Sequence, residues 1–251
     1  GSEMCIRDRV KSFVKPVLTS DLILTISFYQ GEYYIGTYGG GMMVLNPGTL
    51  SLKYFAQGDT ELFQKGHIFC VKPDAKGNLW IGTTYHLFRY SLEEDRLTTV
   101  CDDVSFINAI VSSNEGVVYF ATESRGLWRV SGESRLQIKD TGENYSVLTV
   151  APDKNLWVGT KQGNVYSYSP DTNDFISRTK DCGLTGDAVL DIKSDDDGNL
   201  WILTSQRVMV YHPGTHIFTM MSCADSWINL EDFQALYKGP RGEMSVGGRG
   251  G

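Results

Sequence analysis

The 251-residue chain is poor in proline, with seven residues, and its five cysteines include no C-x-x-C pair. Cys5, Cys70, Cys101, Cys182 and Cys223 have no fixed relation to the four histidines, which argues against zinc or redox chemistry and leaves free thiols as the expectation, with no metal and no cofactor. No run of Lys and Arg is concentrated enough to follow a phosphate backbone, and 23 basic against 30 acidic residues give a net charge of -7, so nucleic acid is excluded as a partner. No stretch approaches the roughly 20 apolar residues of a membrane-spanning helix, so this segment is expected to make no direct membrane contact. The start lacks the charged, apolar and cleavage regions of a signal peptide. That lack carries no weight, because Gly1-Ser2 resembles a tag scar and Ser2 to Arg9 resembles a translated sequencing adaptor; residues 1–9 are expected to be a non-native start. With 41% of its residues hydrophobic, a chain of this length can bury a core without staples, which excludes disorder and small disulfide scaffolds.

What the chain does have is 27 glycines together with 13 Tyr, 11 Phe and 5 Trp, a mixture of turn formers and sheet formers. A phrase recurs: Tyr34-Ile-Gly-Thr37, Leu79-Trp-Ile-Gly-Thr83, Val118-Tyr-Phe-Ala-Thr122, Leu156-Trp-Val-Gly-Thr160, Leu200-Trp-Ile-Leu-Thr204 and, degraded, Met244-Ser-Val-Gly-Gly248. Its last positions are spaced by 46, 39, 38, 44 and 44 residues, the period of a propeller blade and too long for a leucine-rich repeat.

The unit is fullest from Ile68 to Val100, where Ile68–Lys72, Leu79–Thr83, Leu87–Ser91 and Arg96–Val100 read as four strands joined by polar turns. Turns equivalent to Pro73–Asn78 recur at Ser113–Gly116, Pro152–Asn155, Asp195–Gly198 and Gly239–Gly242, each ending in a Gly or Asn that adopts positive φ cheaply. The spacing predicts an all-β fold, a β-propeller of four-stranded antiparallel blades over residues 10–251. About five and a half blades are expected, with second strands ending at 37, 83, 122, 160, 204 and 248, as an incomplete portion of a seven-bladed propeller. Trp80, Trp157 and Trp201 are expected to fill the wedges between blades, the threonines closing the same strands to bond into the following loop, and Gly36, Gly82 and Gly159 to permit close strand approach.

Asp74-Ala-Lys-Gly-Asn-Leu-Trp-Ile-Gly-Thr83, Asp196-Asp-Gly-Asn-Leu-Trp-Ile202, the glycine-rich Gly39-Gly-Gly41 and strands ending in Tyr-x-Pro together resemble the two-component regulator propeller repeat. The resemblance spans about residues 20 to 251; Ala121, Leu203 and a final copy without tryptophan depart from it. It implies the extracytoplasmic sensor region of a Bacteroides-type hybrid two-component histidine kinase. The module would lie in the periplasm as part of an inner-membrane-anchored protein, sensing carbohydrate and feeding a phosphorelay. The chain itself is then not an enzyme. Its partners would be a small oligosaccharide or related molecule and the remainder of the same polypeptide, with a homodimer left open.

In a propeller, the loops between strands two and three share a face with the loops that enter each inner strand. The first set supplies Tyr38, Tyr85, His86, Arg125, Lys161, Gln162 and Arg207 as candidate ligand-binding residues, with Glu123 and Gln206 beside them; the second supplies Trp227, with Asp21, His67, Asp102, Asn144, Asp187 and Asn229. Aromatic rings stack on sugar faces while Arg, Lys, Gln and Asn donate to hydroxyls or an anionic group. No catalytic residue is assigned. The rival readings are a protein-interaction scaffold and, behind it, a carbohydrate-active enzyme, for which Asp21, Asp102, Glu123 and Asp187 could supply carboxylates.

Overall fold

The computed structural model describes residues 20, 22–55, 66–140, 142–181, 184, 186–221, 233–239 and 241–248; residues 1–9 and Trp227 lie outside them. Blade one is β1 (Ile23–Tyr29), β2 (Glu32–Thr37), β3 (Met42–Asn46) and β4 (Ser51–Tyr54). Blade two is β5 (Ile68–Pro73), β6 (Asn78–Thr83), β7 (Leu87–Ser91) and β8 (Arg96–Cys101). Blade three is β9 (Ile107–Ser112), β10 (Val118–Thr122), β11 (Leu127–Ser131) and β12 (Ser134–Lys139), and blade four is β13 (Tyr145–Val150), β14 (Leu156–Thr160), β15 (Val165–Ser169) and β16 (Asp174–Ser177). Blade five is β17 (Val189–Ser194), β18 (Leu200–Thr204), β19 (Val208–His212) and β20 (Ile217–Met221); β21 (Phe233–Lys238) and β22 (Met244–Gly248) form a two-stranded sixth sheet. Within every sheet the strands run antiparallel in chain order, and each first strand touches the first strand of the next sheet. The expected all-β propeller of four-stranded antiparallel blades is the architecture adopted.

The second strands carry the joints between blades. The ring two places before the glycine position packs against the following sheet: Tyr34 with Ile68 and Val71, Trp80 with Ile107 and Val118, Tyr119 with Tyr145 and Leu156, Trp157 with Val189 and Leu200. Trp201 packs in the same way against Leu236 and Val246 of the sixth sheet. Each buried ring adds a large apolar area to its joint. The neighbouring glycines let the backbones close. A Cβ on Gly82 would lie 2.5 Å from Cys70 Sγ and 2.7 Å from Ile107 Cγ2, and one on Gly159 would lie 2.5 Å from Val189 Cγ1. Blade three tolerates Ala121 at this place, and in blade five Leu203 is buried against Val208 and Leu236.

The turns between first and second strands in blades two and five share one construction. Asp74 Oδ1 accepts from Asn78 N at 2.9 Å and Oδ2 from Trp80 Nε1 at 2.8 Å; Asp195 repeats this with Asn199 N at 2.8 Å and Trp201 Nε1 at 2.9 Å. In blade four Ala151 stands at the aspartate's place, so Trp157 Nε1 is buried without a partner, while Asp153 Oδ1 takes over the cap on Asn155 N. Gly77, Gly116, Gly198 and Gly242 have positive φ as expected, but in blade four it is Lys154, at 69°, and not Asn155 that turns the chain. Threonine closes the far end of the second strand: Thr83 Oγ1 donates to His86 O at 3.0 Å, Thr122 Oγ1 to Gly126 O at 3.2 Å and Thr204 Oγ1 to Arg207 O at 3.1 Å. The turns from third to fourth strand hold Asp95, Asn173 and His216 at positive φ, and each bonds the hydroxyl of the tyrosine five residues earlier, Tyr90, Tyr168 or Tyr211.

Burial pulls the Asp74 and Asp195 carboxyls upward, but the bonds from Trp and Asn outweigh it and hold both below the ordinary aspartate value. Both carboxylates therefore stabilise the fold fully above about pH 4, and the contribution is lost as the pH falls through their depressed values. Urea unfolding at falling pH is expected to show a steeper loss of stability in the wild type than in the double variant Asp74→Ala/Asp195→Ala. Gly82→Ala is expected to destabilise by about 1–3 kcal/mol in the same assay, because neither Cys70 nor Ile107 can retreat from a packed joint.

Candidate functional site

The two loop sets are tied into one face. Tyr38 N donates to Leu22 O at 2.9 Å, Glu123 N to Phe106 O at 3.0 Å, Lys161 N to Asn144 O at 3.1 Å and Ser205 N to Ala188 O at 3.0 Å, each joining a strand-two exit to the entry of the first strand in its own blade. Just below this face every first strand is bulged. Pairing with the second strand skips the second residue in all six sheets: Leu24, Phe69, Asn108, Ser146, Leu190 and Gln234. A bulge releases one residue from the ladder and re-aims its side chain. Phe69, Asn108, Ser146 and Leu190 accordingly line a central cavity of about 320 Å³ among the first strands.

An aromatic row crosses the rim of this cavity. Tyr38 stacks on His67 with centroids 3.8 Å apart, His67 lies 6.2 Å from Phe69, and Phe69 lies 5.8 Å from Phe106. Tyr38 is 50% exposed and Phe106 39%. Phe106 has φ of 43°, a strained conformation for an aromatic residue, held by its N–H on Thr84 O at 2.6 Å and its carbonyl under Glu123 N. Two buried polar atoms have no hydrogen-bond partner, His67 Nδ1 in the row and Ser146 Oγ at the cavity. Beside them Asn108 Nδ2 donates to Asn144 Oδ1 at 3.0 Å, and Asn144 N to Gln162 Oε1 at 3.3 Å.

The sequence candidates divide among these surroundings. Tyr38 belongs to the aromatic row and Gln162 to the amide chain. Tyr85, 58% exposed, and His86, stacked 5.3 Å from Phe88, project from the blade-two loop. Arg125 is engaged, its Nη1 donating to Asp103 O at 2.6 Å beside the Arg135–Asp103 ion pair, and Arg207 Nε lies 3.1 Å from Asp187 Oδ2. Lys161 is an exposed cation on the blade-four loop. Trp227, Asp21 and Asn229 lie outside the described residues. Sequence reading passed over Phe69, Asn108, Ser146 and Phe106. A first strand that opens with a buried apolar or aromatic residue leaves its second residue for the channel, and that was the available signal for Phe69, Asn108 and Ser146.

Two segments, residues 63–85 and 183–206, match the propeller repeat described as "Two component regulator propeller". No curated protein matches the chain. Among solved structures the chain is similar to the extracellular domain of BT4673 from B. thetaiotaomicron, named as a hybrid two component system, at 17% identity and a TM-score of 0.72 over 90% of this chain and 31% of that one. The corresponding domain of BT3049 from the same organism is 17% identical, with a TM-score of 0.70 over 96% and 34%. Virginiamycin B lyase from Staphylococcus aureus is 11% identical, with a TM-score of 0.70 over 89% and 76%. The likeness is one of fold. The chain spans about a third of the length of the two B. thetaiotaomicron domains, and an enzyme shares the architecture with them. Among the described residues no helix is long and apolar enough to cross a membrane, and no group of three or more His, Cys, Asp or Glu could hold a metal ion.

Cys70 and Cys101 are free and buried, the first behind the Phe69 bulge. Burial pushes the Cys70 thiol up to about 12 and raises that of Cys101, so neither forms thiolate at neutral pH. Alkylation of the native chain followed by peptide mapping is expected to leave both unmodified, and to label both once urea has unfolded it.

Proposed function

We propose that the chain is the ligand-recognition module of an extracytoplasmic two-component sensor, binding an oligosaccharide on the loop face and biasing a histidine kinase elsewhere in its parent polypeptide. The observation that carries this reading is the row Tyr38–His67–Phe69–Phe106, which leads from the rim to a cavity edged by amides and unpartnered polar atoms. Rings of this kind stack on the C–H faces of a sugar, and the Asn108–Asn144–Gln162 chain offers both donors and acceptors to hydroxyls. The repeat segments and the fold shared with extracellular domains of named two-component systems support placement in the periplasm.

The arginines on this face are already engaged, Arg125 by a carbonyl and Arg207 by a carboxylate. A neutral sugar therefore suits the face better than a polyanionic one, since Arg207 already has its counter-ion in Asp187 and the Asp103 carboxylate stands near Arg125. Signalling needs more than affinity: the ligand must bind one arrangement of the sensor more tightly than the other.

A panel of neutral oligosaccharides titrated into the chain by calorimetry tests the reading. Saturable binding is expected, weakened about tenfold or more by Tyr38→Ala or Phe106→Ala and little changed by Lys161→Ala. Binding that survives both aromatic changes would refute the site, and turnover of the oligosaccharide would replace a sensor with an enzyme.

A further inference from the structure

The joint between blades three and four lacks both the tryptophan and the carboxylate that close the joint before it. Where blades two and five set Asp74 and Asp195 against Trp80 and Trp201, blade three has Ser113 and Tyr119, and blade four offers Ala151. A smaller ring, a shorter turn side chain and a missing carboxylate leave space, and a cavity of about 430 Å³ opens there. Its walls come from the strand-one to strand-two turns and from Pro170 and Asp171 of a strand-three to strand-four turn, so it faces away from the loop face.

Arg129 reaches this cavity from β11 as the cross-strand partner of Tyr119. Its Nε is buried with no hydrogen-bond partner, which leaves a desolvated guanidinium atom unsatisfied. Such an atom is costly unless an anion or acceptor meets it. Burial, opposed by Arg129 and aided by Tyr168, Glu115 and Asp171, raises Tyr119 above its ordinary value, so its hydroxyl remains a donor at neutral pH. Lys154 also lines the cavity, but its Nζ is held 2.6 Å from Glu115 Oε1.

We propose that this cavity is a second ligand site, independent of the loop face, for a small organic carboxylate bearing adjacent hydroxyls, of the uronate class. The carboxylate meets Arg129 and the Tyr119 hydroxyl, while Ser113 and Asn114 serve the ligand's hydroxyls. Among the described residues Arg129 is the lining cation without an ion pair, and with Glu115 held by Lys154 and Asp171 close by the cavity suits one negative charge better than a dianion such as phosphate, whereas a neutral sugar leaves the guanidinium unmet.

Calorimetric titration of the 251-residue chain with D-glucuronate, glucose, acetate and inorganic phosphate tests the assignment. Saturable glucuronate binding is expected, with weaker acetate and phosphate binding and none by glucose. Arg129→Met is expected to weaken glucuronate about tenfold or more. Arg89→Met, at the same register position opposite Trp80 where Asp74 closes the joint, should leave it unchanged. Ser113→Asp places a carboxylate where Asp74 and Asp195 carry theirs; it is expected to abolish binding with the melting temperature kept or raised, which separates loss of the site from loss of the fold. Phe106→Ala should leave glucuronate binding intact, making failure here distinguishable from failure of the loop-face site. Absence of saturable glucuronate binding, insensitivity to Arg129→Met, glucose or phosphate binding as tightly as glucuronate, or loss of glucuronate binding in Phe106→Ala would each overturn the proposal.

Discussion

Much of the structure follows from the close approach between the end of a second strand and the opening residue of the next blade's first strand. At Gly36, Gly82 and Gly159 the gap is too narrow for a Cβ, so the following blade can bring Ile68, Ile107 or Val189 against bare backbone. The aromatic ring two residues earlier then covers the diverging space beyond. Threonine locks the strand end, and the aspartate of the preceding turn satisfies the indole N–H that such burial would otherwise strand. Contact, ring, lock and cap form one device used repeatedly.

The bulge in every first strand belongs to the same device. The opening residue must point into the joint, and the residue after it is skipped by the ladder and left to face the channel. Framework and candidate site are thereby separated by a single residue, Ile68 from Phe69, Ile107 from Asn108, Tyr145 from Ser146. Chemistry at the channel can differ from blade to blade while the joint residue stays apolar.

Residues doing the same job in every blade were legible in the sequence because they recur at a fixed offset: the Leu-Trp-Ile-Gly-Thr strand, the turn before it, the wedge ring. The channel residues were not, since Phe69, Asn108, Ser146 and Leu190 share a position and no chemistry. Positive φ at Asp95, Asn173 and His216 was equally hidden, because their αL conformation is supported by a tyrosine hydroxyl five residues back and not by glycine's freedom. The candidate list drew on exposed loop residues, which is why it named Tyr38 and Gln162 together with Arg125 and Arg207, whose neighbours Asp103 and Asp187 become adjacent only through the blade geometry.

Because each joint links only two sheets, an alteration at one of them is felt by two blades and not by the ring as a whole. Ser113 and Tyr119 depart from the pattern together, while the joints on either side keep their tryptophans. A repeat architecture of this sort behaves like a row of separately adjustable hinges, in which a binding crevice can be opened between any chosen pair of neighbours and the remaining interfaces continue to hold their geometry.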